Sequence, residues 1–94
     1  MNIENKIDGV LFKELITHSD ERGYFREIIR NSDNMFNNFG QWSFSLVHQG
    51  VIKAWHGHKI QYQWTYITIG VFKVVIYDTR SNCKTFGNTM EFLM

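Results

Sequence analysis

Residues 50–70 read GVIKAWHGHKIQYQWTYITIG, an aromatic and β-prone stretch that is bounded by glycines and holds two histidines one residue apart. If this stretch forms a strand, its period of two places His56 and His58 on one face, together with Ile52 and Ala54. The stretch therefore predicts two imidazoles that converge on one pocket.

The sequence on either side of this stretch also has the pattern of short strands. Residues 41–48 alternate large apolar with polar side chains, which is typical of a half-buried strand. Residues 64–69 and 72–78 predict the two arms of a hairpin. The second arm places three apolar side chains on one face: Phe72, Val74 and Ile76.

Further strands are predicted toward the two ends of the chain. Residues 7–17 and 24–30 have β character and are separated by a polar turn at residues 18–23. Residues 32–34, Ser-Asp-Asn, predict the start of a single short helical turn. These assignments leave the N-terminal half with almost no helix.

The C-terminal end completes the predicted architecture. Residues 79–85 predict a turn, and residues 90–94 predict a final short strand. About seven short strands with almost no helix are typical of an antiparallel sandwich or barrel. The chain is therefore expected to be an all-β protein with one domain over residues 1–94.

Composition excludes several classes of protein. The net charge is only +1 and no basic run occurs, so the sequence predicts neither a nucleic-acid partner nor a membrane partner. Cys83 is the only cysteine, which excludes an internal disulfide and is typical of a reducing compartment. With no signal-peptide pattern and no apolar run of about 18 residues, a cytoplasmic location is expected.

The candidate site is defined by five residues and by the spacing between them. Gly50, His56, His58, Gln63 and Gly70 match the first signature of the cupin superfamily, except that Gln63 stands where the usual glutamate would be. Cupins of this pattern bind a divalent metal with a third histidine, but no histidine follows His58. Because a neutral amide is a weak ligand for such ions, metal binding through His56 and His58 is the weaker alternative. The same imidazoles could instead be structural, or could abstract a proton next to a ketone.

Three blocks of sequence carry a wider likeness. They are DERGYFRE at residues 20–27, GVIKAWH at residues 50–56 and YDTRSNCKTFG at residues 77–87. In order and separation they resemble the dTDP-4-dehydrorhamnose 3,5-epimerase family. The resemblance implies a cupin-type antiparallel jelly roll that epimerises nucleotide-linked 4-keto-6-deoxy sugars without a cofactor.

Carried over position by position, the resemblance implies a role for several residues. His56 stands where the family has its catalytic base. Arg22 stands where an arginine binds the nucleotide diphosphate, and Lys53 replaces another arginine of this kind. Gln63 replaces the lysine that steadies the enolate, and its amide could donate a hydrogen bond to the ketone oxygen.

The resemblance also implies a wider binding surface and a partner. Glu27, at the end of the first block, and His58 are grouped with the substrate-binding residues. The family's general-acid tyrosine and the aspartate that pairs with its base would lie beyond residue 94. We therefore expect a jelly roll that lacks its C-terminal strands, and a homodimer that shares phosphate contacts across its interface.

Two other functions remain open at this stage. Nucleotide-sugar 3,4-ketoisomerases of the same superfamily also have a His-x-His motif, a basic residue and a glutamine, similar to residues 56–59 and Gln63. A cupin that binds a nucleotide sugar without turnover is the other alternative. The aromatic residues could stack on a base or sugar, but in a small β domain they are more often core or interface.

Overall fold

In a computed structural model of the protein, residues 3–94 can be described, and this part of the chain contains four strands and no helix. The strands are β1 (His18–Asp20), β2 (Gly23–Phe25), β3 (Lys73–Tyr77) and β4 (Thr89–Leu93). They form two antiparallel two-stranded sheets, β1 with β2 and β3 with β4. The predicted all-β, antiparallel class is confirmed.

The β1–β2 hairpin is small and is held together locally. Asp20 pairs with Gly23, so the connecting turn is formed by Glu21 and Arg22. The Asp20 carboxylate accepts a hydrogen bond from the Arg22 backbone N–H at 2.9 Å, the side-chain turn that aspartate favours. All six strand residues are exposed, so this hairpin buries no side chain of its own.

The β3–β4 hairpin is the most regular part of the structure. Its register runs from Lys73 opposite Leu93 to Tyr77 opposite Thr89. Two further backbone hydrogen bonds of 2.8 Å between Phe72 and Met94 extend the ladder. The predicted arm at residues 72–78 and the predicted final strand are therefore confirmed.

One face of the β3–β4 hairpin carries the small core. Val74 and Ile76 are half-buried while their neighbours along β3 are exposed, as the alternation predicts. On β4, Met90 is buried and Phe92 packs its ring edge-on against Phe12 with centroids 5.0 Å apart. Ile7 is the other buried apolar side chain of the described residues, so the core combines this hairpin with the N-terminal segment.

The loop between β3 and β4 is organised around a buried carboxylate. The Asp78 side chain is 1% exposed and pairs with Arg80, which donates from Nε at 2.9 Å and from Nη2 at 2.8 Å. The Thr85 hydroxyl donates to the same carboxylate at 2.6 Å. Gly87 donates its backbone N–H to the Asp78 carbonyl with a φ of 84°, a conformation that side chains other than glycine rarely adopt.

The same loop fastens the N-terminal segment to the hairpin. Arg80 Nη2 donates to the Asp8 carbonyl at 2.7 Å, and the Asp8 backbone N–H donates to Thr85 Oγ1 at 3.1 Å. Asn88 adds a hydrogen bond from its side chain to the Lys6 carbonyl at 2.7 Å. These contacts link residues more than seventy positions apart in the chain, so the loop is a tertiary clamp as well as a turn.

Several predicted strands are absent from the described residues. No strand forms in residues 7–17, 41–48 or 50–70, and the last range includes the predicted hairpin arm at residues 64–69. The strand β3 pairs with β4 instead of with that arm. Within residues 24–30 only the first two belong to a strand, and residues 30–36 form two turns in place of a helical turn. A strand needs a neighbouring strand with which its backbone forms hydrogen bonds. The segments between residues 26 and 72 have no such neighbour in the described structure.

Candidate active site

His56, the predicted base, lies in the extended segment between the two hairpins. Its side chain is exposed and makes no hydrogen bond with any described residue. The preceding Trp55 has its ring centroid 6.4 Å from that of Tyr77, at the end of β3. The imidazole is therefore sterically free, on a segment that contacts the edge of the ordered hairpin.

His58 is paired with Gln63, so the structure brings together two of the predicted site residues. His58 Nε2 lies 2.9 Å from Gln63 Oε1, and Gln63 Nε2 donates to the Thr65 hydroxyl at 3.2 Å. An amide oxygen only accepts, so the contact with Gln63 Oε1 requires the His58 tautomer that carries its proton on Nε2. The longer contact of 3.5 Å from Gln61 to the same nitrogen is incompatible with that tautomer.

Lys53 is close to residues 45 and 46. Its ammonium group donates to the Leu46 carbonyl at 2.9 Å and approaches the Ser45 hydroxyl at 3.4 Å. Both partners are neutral, so the charge of Lys53 is not neutralised by either of them. Residues 50–58 form no strand, so the strand alternation on which the shared face of His56 and His58 was predicted does not apply here.

Arg22 is already engaged with a carboxylate. Its guanidinium donates to Asp20 from Nε at 3.2 Å and from Nη2 at 2.6 Å, the paired geometry that this group also uses for phosphate. The hydrogen bonds with Arg22 hold the pKa of the Asp20 carboxyl below its usual range. Because the Arg22 side chain is 84% exposed, a phosphate in solution could reach it and compete with Asp20.

Glu27 lies beside the first hairpin, apart from the histidines. Its carboxylate is 3.7 Å from the Arg30 guanidinium, and both side chains are more than half exposed. Glu27 also lines a shallow groove with residues 13–16 and His18. The structure therefore places this carboxylate on a different element from His58 and Gln63.

Taken together, the predicted site residues lie on three separate segments. Among residues 3–94, His58 with Gln63 is the pair of them in direct hydrogen-bond contact. Within the same residues, no group of three His, Cys, Asp or Glu side chains is arranged to hold a metal ion. The arrangement supplies one free imidazole, at His56, and a second imidazole that is paired with the Gln63 amide. It also supplies two cations, Arg22 and Lys53, that a phosphorylated ligand could contact.

Arg26 is a contact residue that the sequence alone did not indicate. It donates from Nε to the Thr17 hydroxyl at 2.6 Å and from Nη1 to the Tyr66 hydroxyl at 3.1 Å, and it lies 4.6 Å from the Tyr24 ring centroid. The hydrogen bond with Tyr66 raises the pKa of Arg26. Arg26 thereby joins the first hairpin to the segment that follows Gln63, and its position inside the 20–27 block was the only signal for it.

The clamp formed by Asp78, Arg80 and Thr85 is a second feature without a predicted role. Hydrogen bonds from Arg80 and Thr85 hold the pKa of the Asp78 carboxyl well below its usual range. The three residues lie in the 77–87 block that carries the family likeness. Their geometry indicates that these three residues are structural, because Asp78 and Arg80 are both turned toward the protein's own backbone or side chains.

Comparison with protein-family models gives a match over residues 4–94, to the model described as dTDP-4-dehydrorhamnose 3,5-epimerase. The chain belongs to this family. The match spans all three sequence blocks and includes every residue proposed for the site. The resemblance on which the sequence prediction depended is confirmed.

Two curated relatives belong to glycan biosynthesis by their names. The chain is 44% identical over 88 residues to the spore coat polysaccharide biosynthesis protein SpsL of Bacillus subtilis (strain 168). It is 29% identical over 90 residues to the probable low-salt glycan biosynthesis epimerase Agl13 of Haloferax volcanii. Each match covers 94% of this chain.

The chain spans 58% of the length of each of these relatives. No solved structure matches the chain significantly. Within residues 3–94 there is also no helix long and apolar enough to cross a membrane. Family membership is therefore established from sequence, while the activity of the whole protein is a matter for a proposal.

Proposed function

We propose that this chain carries the base and the ligand-binding groups of a sugar-nucleotide epimerase in glycan biosynthesis. The observation that supports this is the family match over residues 4–94, which contains each of the six predicted site residues. The proposed substrate is a dTDP-linked 4-keto-6-deoxy sugar, which residues 1–94 would bind as a single cupin-like domain.

In the proposed reaction, His56 acts as the general base. Its neutral imidazole removes the proton from the carbon next to the ketone, and the electron pair of that C–H bond moves onto the ketone oxygen to give an enolate. A water molecule on the opposite face then gives a proton to the same carbon as the enolate electron pair returns to it, which inverts the configuration, and the hydroxide formed takes up the proton held by His56. A free and exposed His56 ring nitrogen is compatible with this role, since no described group competes for it.

Gln63 would stabilise the enolate oxygen by donating from its amide. In the present geometry that amide donates to Thr65, so Gln63 has to exchange a hydroxyl for the ketone oxygen when substrate binds. A neutral donor stabilises an oxyanion less than a lysine would. We therefore expect slower turnover than in family members that have the lysine.

Binding of the nucleotide diphosphate would depend on Arg22 and Lys53. Both are cations at accessible positions, and Arg22 already has its paired donors aligned by Asp20. Glu27 and His58 would contact the hydroxyl groups of the sugar or nucleoside. Because these groups lie on separate segments, we expect ligand binding to draw the segments together.

Deuterium exchange tests the proposed base. In deuterated buffer, the protein should introduce deuterium next to the ketone of a dTDP-4-keto-6-deoxy sugar, and His56→Ala should abolish the uptake. His48→Ala is the matched control, because His48 is exposed and lies outside the proposed site. Exchange that survives in His56→Ala would contradict the assignment of the base.

A second candidate is binding without turnover, which the replacement of the family's lysine by Gln63 favours. It predicts a higher melting temperature with dTDP and no deuterium uptake. A 3,4-ketoisomerase would instead move the ketone, which product analysis distinguishes. A metal cupin using His56 and His58 would contain stoichiometric metal when purified without chelator.

The assembly and the location are also proposals. In a homodimer, residues of one subunit would contact the phosphates bound by the other subunit. Light scattering at micromolar concentration measures the mass of the assembly directly. A monomeric mass would contradict it. We place the protein in the cytoplasm, because its proposed nucleotide-sugar substrate is a soluble metabolite and Cys83 is a free thiol.

A further inference from the structure

The four residues that begin with Gln63 alternate between two sides of the chain. Gln63 and Thr65 are exposed, whereas Trp64 and Tyr66 are half-buried. This is the alternation expected of an extended chain, in which successive side chains point to opposite sides. Residues 63–66, which we name the amide segment, therefore present the Gln63 amide to solvent and direct Trp64 and Tyr66 toward other parts of the protein.

Two long-range contacts anchor the half-buried side of the amide segment. The Trp64 indole donates from Nε1 to the Met35 carbonyl at 3.0 Å, and its ring stacks on Phe36 with centroids 5.4 Å apart. The Tyr66 hydroxyl accepts a hydrogen bond from Arg26 Nη1 at 3.1 Å. The two hydrogen bonds join residues 29 and 40 positions apart in the chain, so partners outside the amide segment set its place.

Arg26 is itself fixed at the open end of the β1–β2 hairpin. It follows β2 directly, and its Nε donates at 2.6 Å to the hydroxyl of Thr17, which directly precedes β1. The guanidinium carbon lies 4.6 Å from the Tyr24 ring centroid, within the range of a cation–π contact. Because Arg22 lies in the turn of the same hairpin, Arg26 links the proposed phosphate contact to the amide segment.

The partners of Arg26 differ from those of the other three arginines. Each of the others, Arg22, Arg30 and Arg80, pairs with a carboxylate, whereas no ion pair within residues 3–94 includes Arg26. Its donors go to two hydroxyl groups on separate segments. A guanidinium suits this task because its donors lie on different nitrogen atoms in one rigid plane, while a lysine ammonium has a single nitrogen.

We propose that Arg26 is a positioning residue for Gln63 and acts through the Tyr66 hydroxyl. The Gln63 amide donates at 3.2 Å to Thr65, which is the chain neighbour of Tyr66. Loss of the contact between Arg26 and Tyr66 would release the backbone that carries Thr65, and would change the direction in which the Gln63 amide donates. An effect on turnover rests on the proposed function, because only then does Gln63 stabilise an enolate, and misplacing such a donor slows the reaction.

The first test measures the position of Gln63 without any substrate. The side-chain amide resonances of Gln63 are assigned in ¹⁵N spectra by their absence from Gln63→Leu. We expect these resonances to shift in Tyr66→Phe, which keeps the ring and removes the acceptor for Arg26. Tyr62→Phe is the matched control, because it removes the same group from a 74% exposed side chain next to Gln63. Its shift should be the smaller of the two.

The second test separates positioning from a general loss of structure. With a dTDP-4-keto-6-deoxy sugar, Tyr66→Phe should lower kcat for deuterium uptake by about tenfold or more and keep KM within about twofold, because the hydroxyl does not contact substrate. Thr17→Ser keeps the second acceptor of Arg26 and should retain kcat, while Thr17→Val should lower it. Arg26→Lys combined with Tyr66→Phe should be no slower than the slower single variant, since both remove one contact.

The outcomes that overturn the proposal are distinct from failure of the proposed reaction. Gln63 resonances that stay unchanged in a folded Tyr66→Phe protein, or that shift equally in Tyr62→Phe, would mean that Arg26 does not position Gln63. A shift in the resonances with kcat unchanged would overturn the role in turnover. A native protein that takes up no deuterium would contradict the proposed function, and the comparison of resonances would still decide whether Arg26 positions Gln63.

Discussion

The β3–β4 hairpin and residues 42–71, which form no strand and are called the open segment below, have similar sequences and different structures. Both alternate apolar with polar side chains, and both were predicted to be strands. In β3–β4 each strand has a hydrogen-bonded neighbour, and Met90 is buried. In residues 42–71 the same kind of pattern forms no strand. The difference teaches that alternation indicates which face could be buried, whereas pairing depends on a partner strand.

The same contrast explains the state of the candidate site. His56, His58, Gln63 and Lys53 all lie in the open segment, while the clamp around Asp78 belongs to the ordered hairpin. Four of the six proposed site residues thus lie in a region that forms no strand. Four measurements test whether the two regions differ in stability as the structure indicates.

The largest effect is expected in the core of the hairpin. Met90→Ala removes one of the two buried apolar side chains among residues 3–94 and should lower the free energy of unfolding by about 2–5 kcal/mol. Urea denaturation followed by circular dichroism measures the change. Leu93→Ala is the control, because Leu93 is 70% exposed on the same strand. Equal losses for the two variants would show that the hairpin face is not a core.

A smaller effect is expected in the clamp. Thr85→Val keeps the shape of the side chain but removes the donor to Asp78 and the acceptor for the Asp8 N–H, at a cost of about 1–3 kcal/mol. Amide exchange of residues 78–88 should accelerate with it. Thr68→Val, at an exposed position in the open segment, should leave that exchange unchanged.

The clamp should also make stability depend on acid. Arg80 and Thr85 hold the pKa of Asp78 below its ordinary value of 3.8, so folding favours the ionised form. This contribution is complete above that value and is lost as the pH falls toward the lower folded-state pKa. Between pH 6 and pH 2, the free energy of unfolding should therefore decrease more for the native chain than for Asp78→Asn. Parallel curves would contradict the assignment.

The smallest effect is expected in the open segment. In the chain alone, Ile52→Ser should change the free energy of unfolding by no more than about 0.5 kcal/mol, because the side chain is 89% exposed. The same urea titration measures it, with Met90→Ala as the reference for a buried position. A loss comparable to that of Met90→Ala would mean that residues 42–71 are packed in solution, and the contrast between the regions would fail.

Part of this structure could be predicted from the sequence. The all-β class, the arm at residues 72–78 with its buried face, the final strand and the family follow from alternation, turn residues and three motif blocks. The pairing of β3 with β4 could not be predicted, because residues 64–69 have an equally suitable pattern and lie closer in sequence. The roles of Arg26 and Arg80 were also missed, since both contact partners far away in the chain, Tyr66 and Asp8.

The site shows the same division. The sequence identified His56, His58, Gln63, Arg22, Lys53 and Glu27 as candidates, and their proposed roles stay predictions. The sequence by itself determined the family and the groups available for chemistry, because these depend on residue identity and local spacing. Only the tertiary structure decided that Gln63 pairs with His58, that Asp78 is buried, and that residues 42–71 stay open. The reason is physical: hydrogen bonds and burial need a second surface, and which surface is present is not encoded in local pattern.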